Sequence, residues 1–225
     1  MNAREKVLTL VAQQIIEKQS NGKIFKVAID GVDGAGKSFF AAELATILRE
    51  YGASVIEASV DGFHNPKSIR LRLGVRSPSG FYHDSYNYAA LKEVLLEPLS
   101  PRGNRQYRRA IFDHQTDSPV NSVLEQAKPG SILVFDGIFL HRSELRDYRD
   151  YSIFLKLPFE LSVPRGNARF GTSPNPLDAS NTRYVEGQKL YLSDCQPESL
   201  ASVVIDNSEL ERPLILKRVS NESTK

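Results

Sequence analysis

The residues best suited to chemistry form one short run, Gly31-Val32-Asp33-Gly34-Ala35-Gly36-Lys37-Ser38. It matches the pattern G-x-x-x-x-G-K-[ST]. Glycines there let backbone N–H groups converge on phosphate oxygens with no Cβ in the way. The lysine brings positive charge to β- and γ-phosphates, and the serine hydroxyl can ligate Mg²⁺. Gly31, Asp33, Gly34, Ala35, Gly36, Lys37, Ser38 and Phe39 are therefore the candidate nucleotide-cradling set. The plain alternative is a glycine turn between a strand and a helix. Two carboxylates complete the pattern. Asp136 ends the apolar run Ile132–Phe135, where it could hold Mg²⁺ with Ser38. Asp61, in Ser59-Val60-Asp61-Gly62-Phe63-His64, ends another strand-like run. From there it could take the proton of an acceptor hydroxyl. His64 is open between a substrate contact, a stabilising hydrogen bond and a surface histidine.

Those residues need a frame. Apolar positions at helical spacing predict helices over Ala3–Lys18, Ser38–Tyr51 and Tyr184–Leu192. Further helices are predicted over Tyr88–Leu96 and, despite Pro164 and Gly166, over Phe159–Phe170. Strands are predicted over Ile24–Ile29, Ser54–Val60, Ile132–Phe135, Ile153–Leu157 and Ala201–Ile205. Asn21-Gly22 should stop the first helix, and the tail from Ser220 should fray. Pro66–Gly74 suggests a short helix, Ser77–Tyr86 a loop, and Gly171–Asn181 a mobile loop. Strand–glycine loop–helix–strand implies parallel strands with a right-handed crossover. The carboxyl ends of such strands line the ligand crevice, so Asp61 and the glycine loop should face one cleft.

Composition narrows the class. The chain has 225 residues, 40% of them apolar, enough for one domain with a large core. Residues 1–225 read as that single domain, with 62–115 a candidate acceptor-binding insert and 171–183 a candidate lid. One cysteine, Cys195, allows no intrachain disulfide, which fits a reducing, cytoplasmic setting. A net charge of +2 argues against a nucleic-acid arm. No apolar run reaches the ~18 residues of a membrane span, and Met1–Leu10 does not read as a secretory signal. A homo-oligomer is left open. The guanine-reading N-K-x-D and transporter L-S-G-G-Q patterns are absent. A small-molecule phosphotransferase remains as the strongest class.

The ordered set Gly31–Ser38, Asp61-Gly-Phe-His64 and Asp136-Gly-Ile-Phe139 resembles the uridine kinase and phosphoribulokinase family, in its bacterial uridine-kinase-like branch. Gly80–Asn87, Tyr107–His114, Glu144–Asp147 and Arg183–Tyr191 extend the likeness over most of the chain. It implies an α/β P-loop NTPase fold: a three-layer sandwich with a mainly parallel sheet of about five strands and a small lid. It implies transfer of a phosphoryl group from ATP or GTP, with Mg²⁺, to a hydroxyl, typically the 5′-OH of uridine or cytidine. Asp61 would be the base. Asp84 would hold ribose hydroxyls, with Tyr107 and His114 near a pyrimidine. Arg165 and Arg169, four residues apart on one helix face, resemble arginines that touch phosphates, Arg169 with Lys37 in the chemical step. Arg183 would be a lid arginine. The candidate lid, Gly171-Thr-Ser-Pro-Asn-Pro176, departs from the arginine-rich lid of uridine kinases, and Asp33 puts an acid where they carry small residues. Pantothenate and phosphoribulose acceptors therefore stay open. Asp33-Gly-Ala-Gly-Lys37 also looks like thymidylate kinases, which keeps a monophosphate acceptor in play. A nucleotide-sensing regulator is the non-enzymatic alternative.

Overall fold

The computed structural model describes residues 1–19, 22–168 and 170–218. Helix α1 (Ala3–Lys18) opens on a capping box, in which Asn2 accepts from the Glu5 N–H and Glu5 accepts from the Asn2 N–H. Strand β1 (Phe25–Gly31) is almost wholly buried and runs into the glycine loop and helix α2 (Lys37–Glu50). Strand β2 (Val55–Ser59) follows. After an irregular insert come β3 (Ile132–Asp136) and β4 (Tyr151–Lys156), then α3 (Phe159–Asn167), α4 (Thr182–Cys195), β5 (Val203–Asp206) and β6 (Leu214–Arg218).

The sheet order is β6-β5-β4-β1-β3-β2. The first five strands in sequence are parallel, and β6 runs antiparallel on the β5 edge. The fold is therefore the expected α/β sandwich with one strand more than anticipated. Leu214–Arg218 is the added strand, with an apolar run of only Leu214-Ile215-Leu216, shorter than the roughly four to eight residues by which a buried strand is read. One core packs α1 and α2 on one face of the sheet. The other joins the insert, Phe139 and α4 to the opposite face.

The insert corrects one expectation. Ser77–Tyr86 is not a loop, since Pro78–Asp84 is helical. The Ser77 hydroxyl accepts from the Gly80 N–H, and Pro78 occupies the first turn, where its missing N–H costs nothing. That helix packs on α4 at Gly187, where an added Cβ would meet the Phe81 ring at 2.8 Å. The expected helix over Tyr88–Leu96 is α-helical over Tyr88–Leu91 and widens to a π-type turn over Lys92–Leu96. Two two-stranded hairpins complete the insert, Gln106–Tyr107 with Glu125–Gln126 and Phe112–Asp113 with Ser118–Pro119. The expected stop at Asn21 and the tail from Ser220 lie outside the described residues. No helix among the described residues is long and apolar enough to cross a membrane.

Candidate active site

The carboxyl ends of β1, β2 and β3 meet at one level. Asp136 stands in register with Ile29 of β1 and Ser59 of β2. The loop after β1 therefore delivers α2 beside Asp136, and the Ser38 hydroxyl donates to Asp136 Oδ2 at 2.7 Å. The Ser59 hydroxyl braces the same residue through its backbone carbonyl. Lys37 Nζ lies over the loop, donating to the Val32 carbonyl at 2.9 Å. Gly36 caps α2 in the left-handed region (φ 85°) and offers no side chain to the helix. The first-turn N–H groups thus face the cleft uncapped, which suits a phosphate. Burial pushes the Asp136 carboxyl above its ordinary range, against the pull of Ser38 and Lys37. Two hard oxygen donors, Ser38 and Asp136, fit Mg²⁺, which takes few protein ligands and completes its shell with water and phosphate. Among the described residues no group of three or more acids, histidines or cysteines could hold a metal by itself.

The loop is gripped from both sides. Helix α3 closes over Gly34 (φ 76°), where an added Cβ would lie 2.1 Å from the Ser162 carbonyl oxygen and 2.9 Å from the Gly166 nitrogen. The close approach depends on Gly34 and not on Gly166, where an added Cβ would stand 3.6 Å from the Gly34 nitrogen, an ordinary contact. On the other flank, Asn207 donates to the Ala35 carbonyl at 2.7 Å, and Arg4 of α1 donates to Asn207. Gln188 of α4 accepts the Asp33 N–H at 2.5 Å. Burial pushes the Asp33 carboxyl up, with Lys37 opposing and Asp61 adding.

A cleft of about 650 Å³ opens from this loop toward the insert. Asp61 sits on its wall, in a single turn of 3₁₀ helix that follows β2 directly. The Tyr86 hydroxyl donates to Asp61 Oδ1 at 3.2 Å. Burial, reinforced by Asp61 and Asp33, holds the Tyr86 phenol well above its ordinary value, so it stays a neutral donor. His64 Nδ1 carries the proton toward the Asp61 carbonyl at 2.9 Å. Burial lowers the His64 value despite Asp61, and nearby His114 and Arg70 lower it further. His64 and His114 stack at 4.5 Å, and Tyr86 tilts against His64 at the same separation.

Asp33, Gly34, Gly36, Lys37, Ser38, Phe39, Asp61, His64, His114, Asp136 and Arg183 all line this cleft. Other expected residues are placed elsewhere. Gly31 and Ala35 are buried beneath the loop. Asp84 is buried off the wall, in a two-pronged ion pair with Arg72 at 2.9 and 2.8 Å. Tyr107 is buried in the hairpin region and donates to Glu125. Arg165 turns away from the cleft to the Asn207 and Ser208 carbonyls. Arg183 reaches the wall, but its guanidinium donates to the carbonyls of Arg70, Gly74 and Ser77. The resemblance implies a lid arginine at this position, and its guanidinium is engaged by the insert's backbone. Arg169 lies outside the described residues. The segment 171–181 has no regular structure, as anticipated, but it is pinned. Asn167 donates to the Ser173 carbonyl and to Asn181, and Asn181 donates to Ser173 and Asn175.

Tyr86, Gln188 and Asn181 are site residues that sequence reasoning missed. Tyr86 falls inside the Gly80–Asn87 stretch, so a signal existed. Gln188 falls likewise inside the Arg183–Tyr191 stretch, although the apolar periodicity of its helix gave no reason to single out a buried amide.

No family model matches the chain. It is 26% identical over 200 residues to a dephospho-CoA kinase of Thermobifida fusca (strain YX), covering 85% of this chain and 91% of that protein. Its fold is similar to that of a "Possible Uridine Kinase" from Bacillus stearothermophilus (TM-score 0.72, 23% identity, 89% of this chain and 97% of that one). It is also similar to D-glycerate 3-kinase from Cryptococcus neoformans (TM-score 0.59, 13% identity, 95% and 99%).

Proposed function

We propose that this chain, whose fold is that of the P-loop kinases, transfers the γ-phosphate of ATP to a hydroxyl of a small molecule. One observation carries the proposal. The uncapped start of α2, the Ser38–Asp136 pair and Asp61 converge on a single cleft. Lys37 and the first-turn N–H groups of α2 would bind the phosphates. Mg²⁺, when bound between Ser38 and Asp136, would neutralise charge on the phosphates. Asp61 would accept the proton of the acceptor hydroxyl, with Tyr86 fixing the orientation of its carboxylate.

For the acceptor, the shelf of His64, His114 and Tyr86 supports a flat ring, and uridine or cytidine is the first choice. A second reading, an acceptor without a ribose diol, is favoured by the Arg72 ion pair. That pair occupies the Asp84 carboxylate which would otherwise take two vicinal hydroxyls. ADP release with Mg·ATP should be measured against uridine, cytidine, D-glycerate, pantothenate, ribulose 5-phosphate, dephospho-CoA and thymidine monophosphate. Uridine or cytidine turnover supports the first reading, turnover with D-glycerate or pantothenate alone, which have no ribose, supports the second, and turnover with thymidine monophosphate would move transfer from a hydroxyl to a phosphate. Tight ATP binding with no turnover on any of them would favour a nucleotide sensor.

A further inference from the structure

Directly behind the glycine loop lies a set of ionisable side chains that the proposed transfer does not use. Asp30, the last residue before Gly31, is fully buried in the central strand, as is His141. Tyr191 of α4 is almost fully buried with them. A carboxylate in such a place persists only if its oxygens are satisfied. Asp30 Oδ1 accepts the Gly31 N–H at 2.7 Å. Oδ2 accepts His141 Nδ1–H at 2.7 Å, the His141 backbone N–H at 3.2 Å and the Tyr191 hydroxyl. Oδ2 is thus the acceptor of all three contacts, and His141 donates to it from Nδ1. That leaves Nε2 buried, with no hydrogen-bond partner among the described residues.

The three partners come from three different elements. Gly31 begins the phosphate loop. His141 stands five residues after Asp136, in a segment held by buried Phe139 at a φ of 67°, a conformation that only surrounding packing sustains. Tyr191 lies three residues after Gln188 on the same face of α4. Gln188 takes the Asp33 N–H, and Tyr191 reaches Asp30. Helix α4 therefore grips the loop at both ends of Asp30–Asp33, and this helix follows the pinned 171–181 segment directly.

We infer that Asp30, His141 and Tyr191 are positioning residues that fix the phosphate loop against α4 and against the segment carrying Asp136, and so set affinity for the nucleotide's phosphates. The inference rests on the nucleotide-binding reading of Gly31–Ser38. Tyr191→Phe removes two hydrogen bonds, the one its hydroxyl donates to Asp30 and the one it accepts from the His141 N–H at 3.0 Å, and keeps the ring that packs on Phe139 at 5.1 Å. Loss of these bonds from the loop's support should weaken binding of the Mg²⁺ complex of β,γ-imido-ATP about tenfold. His141→Asn, which keeps a donor of shorter reach, should act in the same direction.

Tyr82→Phe is the control. Its hydroxyl donates to Asp194 on the same helix at 2.5 Å, without touching the loop. It should lower the melting temperature without changing nucleotide affinity. The experiment is calorimetric titration of all four proteins with that nucleotide, alongside melting curves. Weakening confined to Tyr191→Phe and His141→Asn supports the inference. Equal affinity in all four proteins overturns it, and so does equal weakening by Tyr82→Phe, which would make the effect general destabilisation. If wild type itself binds no nucleotide, the reading of the loop has failed instead.

Discussion

Gly34 tests what the glycine loop is built around. The sequence pattern suggests that its glycines make room for phosphate, but the space at Gly34 is taken by protein. An alanine Cβ there would stand 2.1 Å from the Ser162 carbonyl oxygen. Helix α3 or the loop must then shift, because backbone cannot swing aside as a side chain can. Overpacking of this kind costs about 1–3 kcal/mol. The left-handed backbone at Gly34 adds about 1–2 kcal/mol for a residue with a Cβ. Gly34→Ala should therefore destabilise by about 2–5 kcal/mol, a melting-temperature drop of about 4–20 °C for a chain of this size. Gly52→Ala isolates the backbone part, since Gly52 has a φ of 84° and nothing within 4 Å of an added Cβ. Thermal melts of both variants, with and without Mg·ATP, make the comparison. Gly34→Ala should melt well below Gly52→Ala and bind nucleotide more weakly. Equal melting points with wild-type nucleotide affinity would refute the claim that α3 closes on Gly34.

Lys37→Ala should weaken ATP binding and slow turnover together, which titration and steady-state kinetics will show. Asp136 gives a pH-dependent outcome with a definite sign. Its folded value is raised by burial, so the folded state holds the proton more tightly and stability falls as pH rises from the ordinary carboxylate range through the raised value. Asp136→Asn should therefore raise the melting temperature of the nucleotide-free protein at neutral pH, while removing most of the extra stabilisation that Mg²⁺ gives with ATP. A variant that melts lower at neutral pH and keeps the full Mg²⁺ effect would contradict both halves. Asp84→Asn, tied to Arg72 and off the cleft wall, should leave ATP KM unchanged in the same assays. A large ATP KM shift would put Asp84 at the nucleotide site, where neither the resemblance nor the Arg72 ion pair places it.

Much of the frame was legible because its signals are local. The glycine loop carries its own chemistry, and Ile132–Phe135 is apolar throughout because β3 is covered on both faces. Ala3–Lys18 shows its buried face at helical spacing and bears its cap at Asn2. What stayed hidden depends on partners distant in sequence. Helical spacing put Arg165 on a face but could not show that the face meets the carbonyls of Asn207 and Ser208. Asp84 looked free until Arg72 was brought against it. Gly34 looked like a phosphate-cradling glycine until the Ser162 carbonyl of α3 was found against it. The role of Asp30 needs His141 and Tyr191, both more than a hundred residues away.

The central claim is phosphoryl transfer with Asp61 as base, and the direct measurement follows the label from radiolabelled γ-phosphate of ATP onto an acceptor. Wild type and Asp61→Asn should be compared on whichever acceptor the panel identifies. Label should appear on the acceptor hydroxyl with wild type and fall by ~10²–10⁴ in the variant, while both proteins bind ATP equally. Label transferred at the wild-type rate by Asp61→Asn would contradict the assignment of Asp61, and label released only as inorganic phosphate by wild type would contradict transfer itself.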